Sequence, residues 1–480
     1  MDEQTRKQND ELCAFVQDFA AQTAQFYDTL SDRPICTPAD EDTLARLAAE
    51  PIPEAGRPAG DVCRDMVRDV YSGVMLAQHP RAFACVPSSA SMLSWAGDVM
   101  TAAFNPHASC CANAPAADLI EKKLIRWACG LAGYPEGAGG LFVSGGSVAN
   151  LTALTAARDA LLPGRERADG VLYLSSQTHA SVAKGAHIIG FLPEQMHIVP
   201  TDERFRMDAC ALREAIEADR AAGLRPFAVV ASAGTTNTAS VDPLGAIADL
   251  CEEFGLWMHV DGAYGASALC SPEQKKRLAG IERSNSLSWD AHKWLQQTYS
   301  CSMVLVRDRQ TLFSSFNEHP EYLKDAGAGS GVEFWDLGPE LTRPARALKL
   351  YLTLCARGTR AIADDIDHSC RMAEFAEREL RSRGLWQIVS PAQLGVVCFR
   401  AVPDGYLSPE AIDALQSRIA QDITSSGFAQ VYTTELCGRK VLRLCMIHPE
   451  TTERDVVATV ERLSAAAARM GTRRPVSVTA

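Results

Sequence analysis

The chain has 480 residues, a formal net charge of −12, and 47% hydrophobic against 22% charged residues, which is the composition of an ordinary soluble protein long enough for two or three cores. The acidic balance argues against nucleic acid or an anionic membrane surface as a partner, since both select basic proteins. No apolar run reaches the roughly 18 residues of a membrane span, and the polar start Met1 to Lys7 carries no apolar signal segment, so a cytoplasmic location is expected.

The 16 cysteines are scattered. None forms a Cys-x-x-Cys pair, and the adjacent Cys110-Cys111 does not match zinc-ligand spacing, so they are expected to be reduced core residues, with no metal site.

In chain order, residues from about 9 to 30 place Phe15, Phe19, Phe26 and Leu30 at helical spacing, and a second helical pattern runs from about Asp61 to Leu76. These apolar faces need a surface to cover, on the main body or on a second subunit. From about 81 to 370, short apolar runs alternate with amphipathic ones, the pattern of an α/β domain around a largely parallel sheet. The strand candidates are Leu141-Val143, Val171-Leu174, His197-Val199, Phe227-Val230 and Leu256-Val260, followed by Ser286-Ser288 and Cys301-Val306. Helices are expected over Leu151 to Leu161, Asp208 to Ala222 and Leu244 to Phe254. Beyond, a charged helix from Ile362 to Arg383, strands near Val396-Phe399 and Val441-Leu444, and a helix through Leu463 suggest a smaller α+β domain. The expected units are 1–80, 81–370 and 371–480.

Four stretches carry chemistry. Ser144-Gly145-Gly146-Ser147 follows a strand and opens a helix, where glycines let backbone approach an anion and helix amides with the Ser147 hydroxyl donate to it. It is neither Gly-x-Gly-x-x-Gly nor a Walker loop, so a phosphate is expected without a dinucleotide or nucleoside triphosphate. Ser175 to His179 comes just after a strand, at the edge where open α/β sheets bind ligands, and an imidazole there suits stacking on a flat ring. His259-Val260-Asp261-Gly262-Ala263-Tyr264 ends an apolar strand in a carboxylate, which is costly to bury unless a cation such as a protonated ring nitrogen meets it. In Trp289-Asp290-Ala291-His292-Lys293-Trp294, a lysine between two strands can condense with an electrophilic carbonyl. Each stretch alone also has a structural explanation: a helix cap, a satisfied histidine, a turn-capping aspartate, a surface lysine. Together they are what pyridoxal phosphate (PLP) requires, because this cofactor presents a phosphate, a flat ring, a pyridine nitrogen and an aldehyde.

These motifs resemble, in order and interval, those of the group II PLP-dependent amino acid decarboxylases, over nearly the whole chain and most closely the bacterial aromatic (tryptophan) decarboxylases. The Asp-Ala-His-Lys-Trp motif is the most specific element. The resemblance implies the fold type I architecture of aspartate aminotransferase: a largely parallel sheet, an N-terminal helical dimerisation segment and a small C-terminal α+β domain. It also implies a homodimer with active sites at the subunit interface. By position, Lys293 would hold the cofactor, Asp261 would pair with its ring nitrogen and His179 would stack on the ring. Gly146, Ser147 and His292 would hold the phosphate end, with Thr236 near the ring and substrate carboxylate and Ala263 beneath the ring.

The loop Pro320 to Gly331 has three alternate glycines and reads as a lid. In the family a tyrosine at the position of Tyr322 protonates the substrate carbon after carbon dioxide leaves, whereas phenylalanine there goes with aldehyde formation. The resemblance also implies a side-chain pocket walled by Trp335 and Leu341, with His107 as in bacterial relatives. Cys85 stands where aromatic-substrate relatives carry a larger ring. The expected reaction is therefore decarboxylation of an aromatic L-amino acid, tryptophan first and then phenylalanine or tyrosine. The alternatives are a non-aromatic substrate or an aminotransferase whose carboxylate-gripping arginine would be Arg443.

Overall fold

The computed structural model describes residues 3–84, 86, 89–318, 332–403 and 408–471. β1 (Gly139–Val143), β2 (Gly170–Ser175), β3 (Met196–Val199), β4 (Arg225–Ser232), β5 (Trp257–Asp261), β6 (Ser286–Asp290) and β7 (Ser302–Val306) form one seven-stranded sheet in the order β1-β7-β6-β5-β4-β2-β3. β7 is antiparallel to its neighbours β1 and β6, and the other pairings are parallel. The largely parallel sheet expected from the sequence is thus present, and β1, β2, β4, β5 and β6 all end at the same rim.

Side chains alternate along a strand, so one apolar run feeds two cores. On β4, Val229 and Ala231 join the core that holds Met258, Leu287 and Trp289. Ala228 and Val230 face the opposite core with Leu172, Leu174 and Val304. The helices between strands follow the expected spans closely. Ala209–Ala221 starts where the Asp208 carboxylate accepts from the amides of Cys210 and Ala211, and Leu244–Phe254 stops at Gly255, whose φ of 67° is left-handed. One helix begins earlier than its apolar pattern shows: Gly146–Leu161 includes the glycine turn itself.

β8 (Trp386–Gln393), β9 (Val396–Ala401), β10 (Tyr432–Leu436) and β11 (Arg439–Cys445) make an antiparallel sheet in the order β10-β11-β9-β8, with its own apolar core. The long helix Ala347–Ser382 runs through the expected boundary at 370; only its part beyond 362 was legible, because Gly358 (φ 76°, ψ 159°) interrupts it. The stretch from 81 is built onto the small domain, where Phe83 donates its amide to Gln430 O and accepts from the Cys445 amide, each at 3.0 Å.

The N-terminal helices Glu3–Asp28, Glu41–Ala49 and Ala59–Asp69 leave Leu12, Val16, Leu44, Leu47, Met66 and Val70 exposed on the single chain. Among the described residues no helix is long and apolar enough to cross a membrane.

Candidate active site

The carboxyl ends of β1, β2, β4, β5 and β6 deliver the Ser144 to Ser147 turn, His179, Gly234 to Thr236, Asp261 and Lys293 to one cavity of about 380 Å³. That rim is where open α/β sheets bind ligands, because helix N-termini and loop side chains converge there. Ala263 and His292 line the same space.

Lys293 leaves β6 on a turn and sends its Nζ to within 3.0 Å of Asp290 Oδ2. Burial pulls the amine's pKa down, but the carboxylates of Asp290 and Asp261 outweigh it and leave the group above the ordinary lysine value. The other Asp290 oxygen, Oδ1, is buried without a hydrogen-bond partner among the described residues. Gly146 explains how the turn comes so near: a Cβ at this position would lie 2.8 Å from Asp290 Oδ2 and 3.1 Å from Ala263 Cβ. Gly234 is required for two reasons, a φ of +92° and a Cβ position 3.0 Å from the Tyr264 ring.

Asp261 is 8% exposed. Its Oδ2 accepts from Asn150 Nδ2 at 3.0 Å, and its Oδ1 accepts from Ser288 Oγ at 3.2 Å and the Ala263 amide at 3.1 Å. Donors thus reach both carboxylate oxygens and fix their direction. His179 caps the helix Ala180–Ile188, its Nδ1 accepting from the Ser181 amide at 3.2 Å. A backbone N–H can only donate, so neutral His179 carries its proton on Nε2. The same logic applies to His292, whose Nδ1 accepts from the Cys301 amide at 3.2 Å while Nε2 faces Asp290 Oδ2 at 3.6 Å. Burial depresses the His292 pKa, with Asp290 opposing.

Thr236 is tied to the small domain through Arg443, which donates one guanidinium nitrogen to Thr236 O and another to Ala84 O. Arg443 thus spends two of its five donors on backbone carbonyls that join the two domains.

Trp335, Leu341 and His107 do not line this chain's cavity. Their segments are stitched to each other instead: the Trp335 amide donates to Ser109 O at 3.3 Å, the Cys111 amide donates to Glu333 Oε2 at 2.8 Å, and His107 bridges Pro344. Trp335 is 6% exposed and Leu341 48%. The buried Arg343 holds this patch against Ala108 O and Glu121. Tyr322 and Cys85 lie outside the described residues.

The cavity also holds residues the motif reading did not single out: Asn150, Ser181, Asp290, Tyr299 and Ser300. Asn150 is four residues after Gly146 on the same helix, a spacing that puts both on one face and was available in the sequence. Ser181 carried no comparable signal.

The residues present fit PLP. A buried amine, a carboxylate with donors on both oxygens, an imidazole of set tautomer and a helix N-terminus behind small residues border one space, and a Cβ at Gly146 would crowd it. Comparison with known proteins agrees. Residues 41–402 match the model of the pyridoxal-dependent decarboxylase conserved domain. The aromatic-L-amino-acid decarboxylase of Bacillus atrophaeus is 38% identical over 440 residues, covering 91% of this chain and 92% of that protein. The phenylacetaldehyde synthase of Arabidopsis thaliana is 30% identical over 446 residues, covering 90% and 91%. The crystal structure of Oryza sativa TDC with PLP and tryptamine superposes with a TM-score of 0.90 at 28% identity, over 96% of this chain and 98% of that one. The chain belongs to the group II pyridoxal-dependent decarboxylase family and is a PLP-dependent amino acid decarboxylase of fold type I.

Proposed function

We propose that the protein decarboxylates an aromatic L-amino acid to the corresponding amine and carbon dioxide, with tryptophan the preferred substrate and phenylalanine or tyrosine next. The observation that carries this reading is the single cavity bordered by Lys293, Asp261, His179 and the Ser144 to Ser147 turn. When bound, PLP supplies the electron sink for loss of carbon dioxide. Lys293 would hold the cofactor's carbonyl group, Asp261 would pair with its ring nitrogen, and His179 and Ala263 would hold its ring. The helix-terminal amides at Gly146 and Ser147, the Ser147 hydroxyl and His292 Nε2 would hold the phosphate, and Thr236 would border the substrate carboxylate.

The aromatic assignment draws on the name of the Bacillus relative, on the tryptamine in the Oryza structure and on Trp335. Because Trp335, Leu341 and His107 sit away from their own chain's cavity, we place them at the site of a second copy in a homodimer. The exposed apolar residues of the N-terminal helices supply the surface such a pairing would bury. Tyr322 delivers the proton to the substrate carbon, which favours amine over the aldehyde made by a phenylacetaldehyde synthase. An aminotransferase reading gains no support from Arg443, which has a structural role in tying Thr236 O to Ala84 O. We place the enzyme in the cytoplasm.

The test is turnover of tryptophan, phenylalanine, tyrosine and glutamate by the PLP-loaded protein, with amine detection and with or without 2-oxoglutarate. Amine from the aromatic acids, independent of 2-oxoglutarate, is expected. Activity confined to glutamate would overturn the substrate assignment, and dependence on 2-oxoglutarate would overturn the reaction.

A further inference from the structure

Behind Asp261 lies a chain of buried hydrogen bonds whose direction is set from the carboxylate outward. Trp257 Nε1 stands 2.8 Å from Ser286 Oγ, which stands 2.8 Å from His259 Nδ1. His259 Nε2 is 3.0 Å from Asn150 Oδ1, and Asn150 Nδ2 is 3.0 Å from both Asp261 Oδ2 and Ser181 Oγ. Ser181 Oγ is in turn 2.8 Å from His179 Nδ1.

At the far end an indole N–H can only donate, so Ser286 accepts from Trp257 and keeps its own proton free to give to His259 Nδ1. At the near end a carboxylate can only accept, so Asn150 turns its amide nitrogen to Asp261 and its oxygen to His259. The near end requires a histidine protonated on Nε2, and the far end is compatible with it. Burial agrees, since His259 is 0% exposed and desolvation, only partly offset by Asp261, holds its pKa down at about 4. The second Asn150 proton reaches Ser181, whose hydroxyl then donates to His179 Nδ1. One amide thus serves both residues assigned to the cofactor ring.

We propose that Asn150 and His259 are positioning residues for the cofactor: His259 fixes the orientation of the Asn150 amide, which holds the Asp261 carboxylate aimed at the ring nitrogen and, through Ser181, keeps the Nε2–H tautomer of His179. This rests on the assignment of Asp261 to the ring nitrogen. None of the relay members need move a proton during turnover. Its effect is electrostatic: a chain of oriented dipoles whose donor end meets the Asp261 carboxylate.

A structural role alone would weaken binding of any cofactor-shaped molecule, whereas this role concerns the ring nitrogen. The test compares the affinity of the apoprotein for PLP with that for the deaza analogue, in which a C–H replaces the ring nitrogen. Asn150→Leu and His259→Leu are expected to lower the preference for PLP over the analogue by about tenfold or more, the scale of one hydrogen bond to a charged group. The resonance of an isotope-labelled ring nitrogen in bound PLP should move toward its unprotonated position in both. His259→Gln should keep the preference, because its amide can accept from Ser286 and donate to Asn150. Should Asn150→Leu fail to fold, Asn150→Asp has nearly the same shape, cannot donate to an ionised Asp261, and should lose the preference too. Equal loss of affinity for PLP and the analogue, or no loss, in the Asn150 and His259 variants overturns the relay. Asp261→Asn separates the two ideas. If it abolishes the preference while the Asn150 and His259 variants retain it, the relay is wrong and the role of Asp261 stands. If Asp261→Asn itself keeps the preference, the ring-nitrogen assignment falls and the relay with it.

Discussion

Lys293 Nζ and Asp290 Oδ2 form an ion pair at 3.0 Å across the turn that leaves β6, with Asp290 2% exposed on its side chain. The amine that we assign to the cofactor is therefore held as an ammonium by its own neighbour in the motif. The two carboxylates more than offset burial and raise the lysine pKa. Only the neutral amine attacks a carbonyl, so the rate at which apoprotein takes up PLP should rise with pH toward the lysine pKa. Asp290→Asn should shift that profile to lower pH. For stability the sign is opposite: the pair's contribution is full below the ordinary lysine pKa and is lost as pH rises through the raised one. Stopped-flow absorbance of PLP uptake across pH checks the first statement, and a profile unchanged by Asp290→Asn would contradict it.

Gly146 is where the cofactor turn meets the lysine turn. Gly146→Ala places a methyl group 2.8 Å from Asp290 Oδ2. Overpacking of this size costs about 1 to 3 kcal/mol, or roughly five- to 150-fold in affinity. The loss should fall on PLP binding, measured by equilibrium titration of the apoprotein, with secondary structure retained by circular dichroism.

Arg343 and Glu121 are an ion pair fully inside the protein, 0% and 1% exposed on their side chains and 2.6 Å apart. The guanidinium also donates to Ala108 O at 2.9 Å and Phe142 O at 2.6 Å. Glu121→Ala leaves that cation without its partner, at a cost of about 3 to 5 kcal/mol. Urea unfolding should show the lower midpoint; a change under about 1 kcal/mol would mean that the pair is dispensable.

If sites are shared between subunits, two inactive variants should repair each other. A mixed dimer of Lys293→Ala with an inactivating Trp335 variant contains one site with both residues intact. Mixing under conditions of subunit exchange should restore amine production, while either variant alone stays inactive. No recovery, with exchange verified by a tagged subunit, would return Trp335 to a purely structural role.

Tyr322→Phe should divert product from amine to aldehyde, with ammonia and hydrogen peroxide formed at the expense of dioxygen. Paired assays of amine and peroxide check it, and unchanged amine output would remove Tyr322 from protonation.

The site was legible to different depths for physical reasons. Lys293, Asp261, His179 and the glycine turn each sit at a strand end, and strand ends are marked locally by a short apolar run that stops at a polar or small residue. Asn150 and Asp290 lay inside quoted motifs yet passed unremarked, since their importance comes from partners about 110 residues away or from a contact across a turn. His259 was read as part of an apolar strand; that it is a neutral donor with a set tautomer depends on Ser286 and Asn150, on a neighbouring strand and a covering helix.

By itself the sequence determined the alternation of strands and helices, the order of the cofactor motifs and the cofactor's identity, because these are properties of local periodicity and of residue types at chain-adjacent positions. Only the tertiary structure decided which side chains meet. It committed Arg443 to Thr236 O and Ala84 O, bound the Trp335 segment to the 107–111 stretch rather than to the Lys293 cavity, and placed one asparagine amide between Asp261 and Ser181. Hydrogen bonds are specified by distance and direction in space to about an ångström, and no spacing along the chain encodes that.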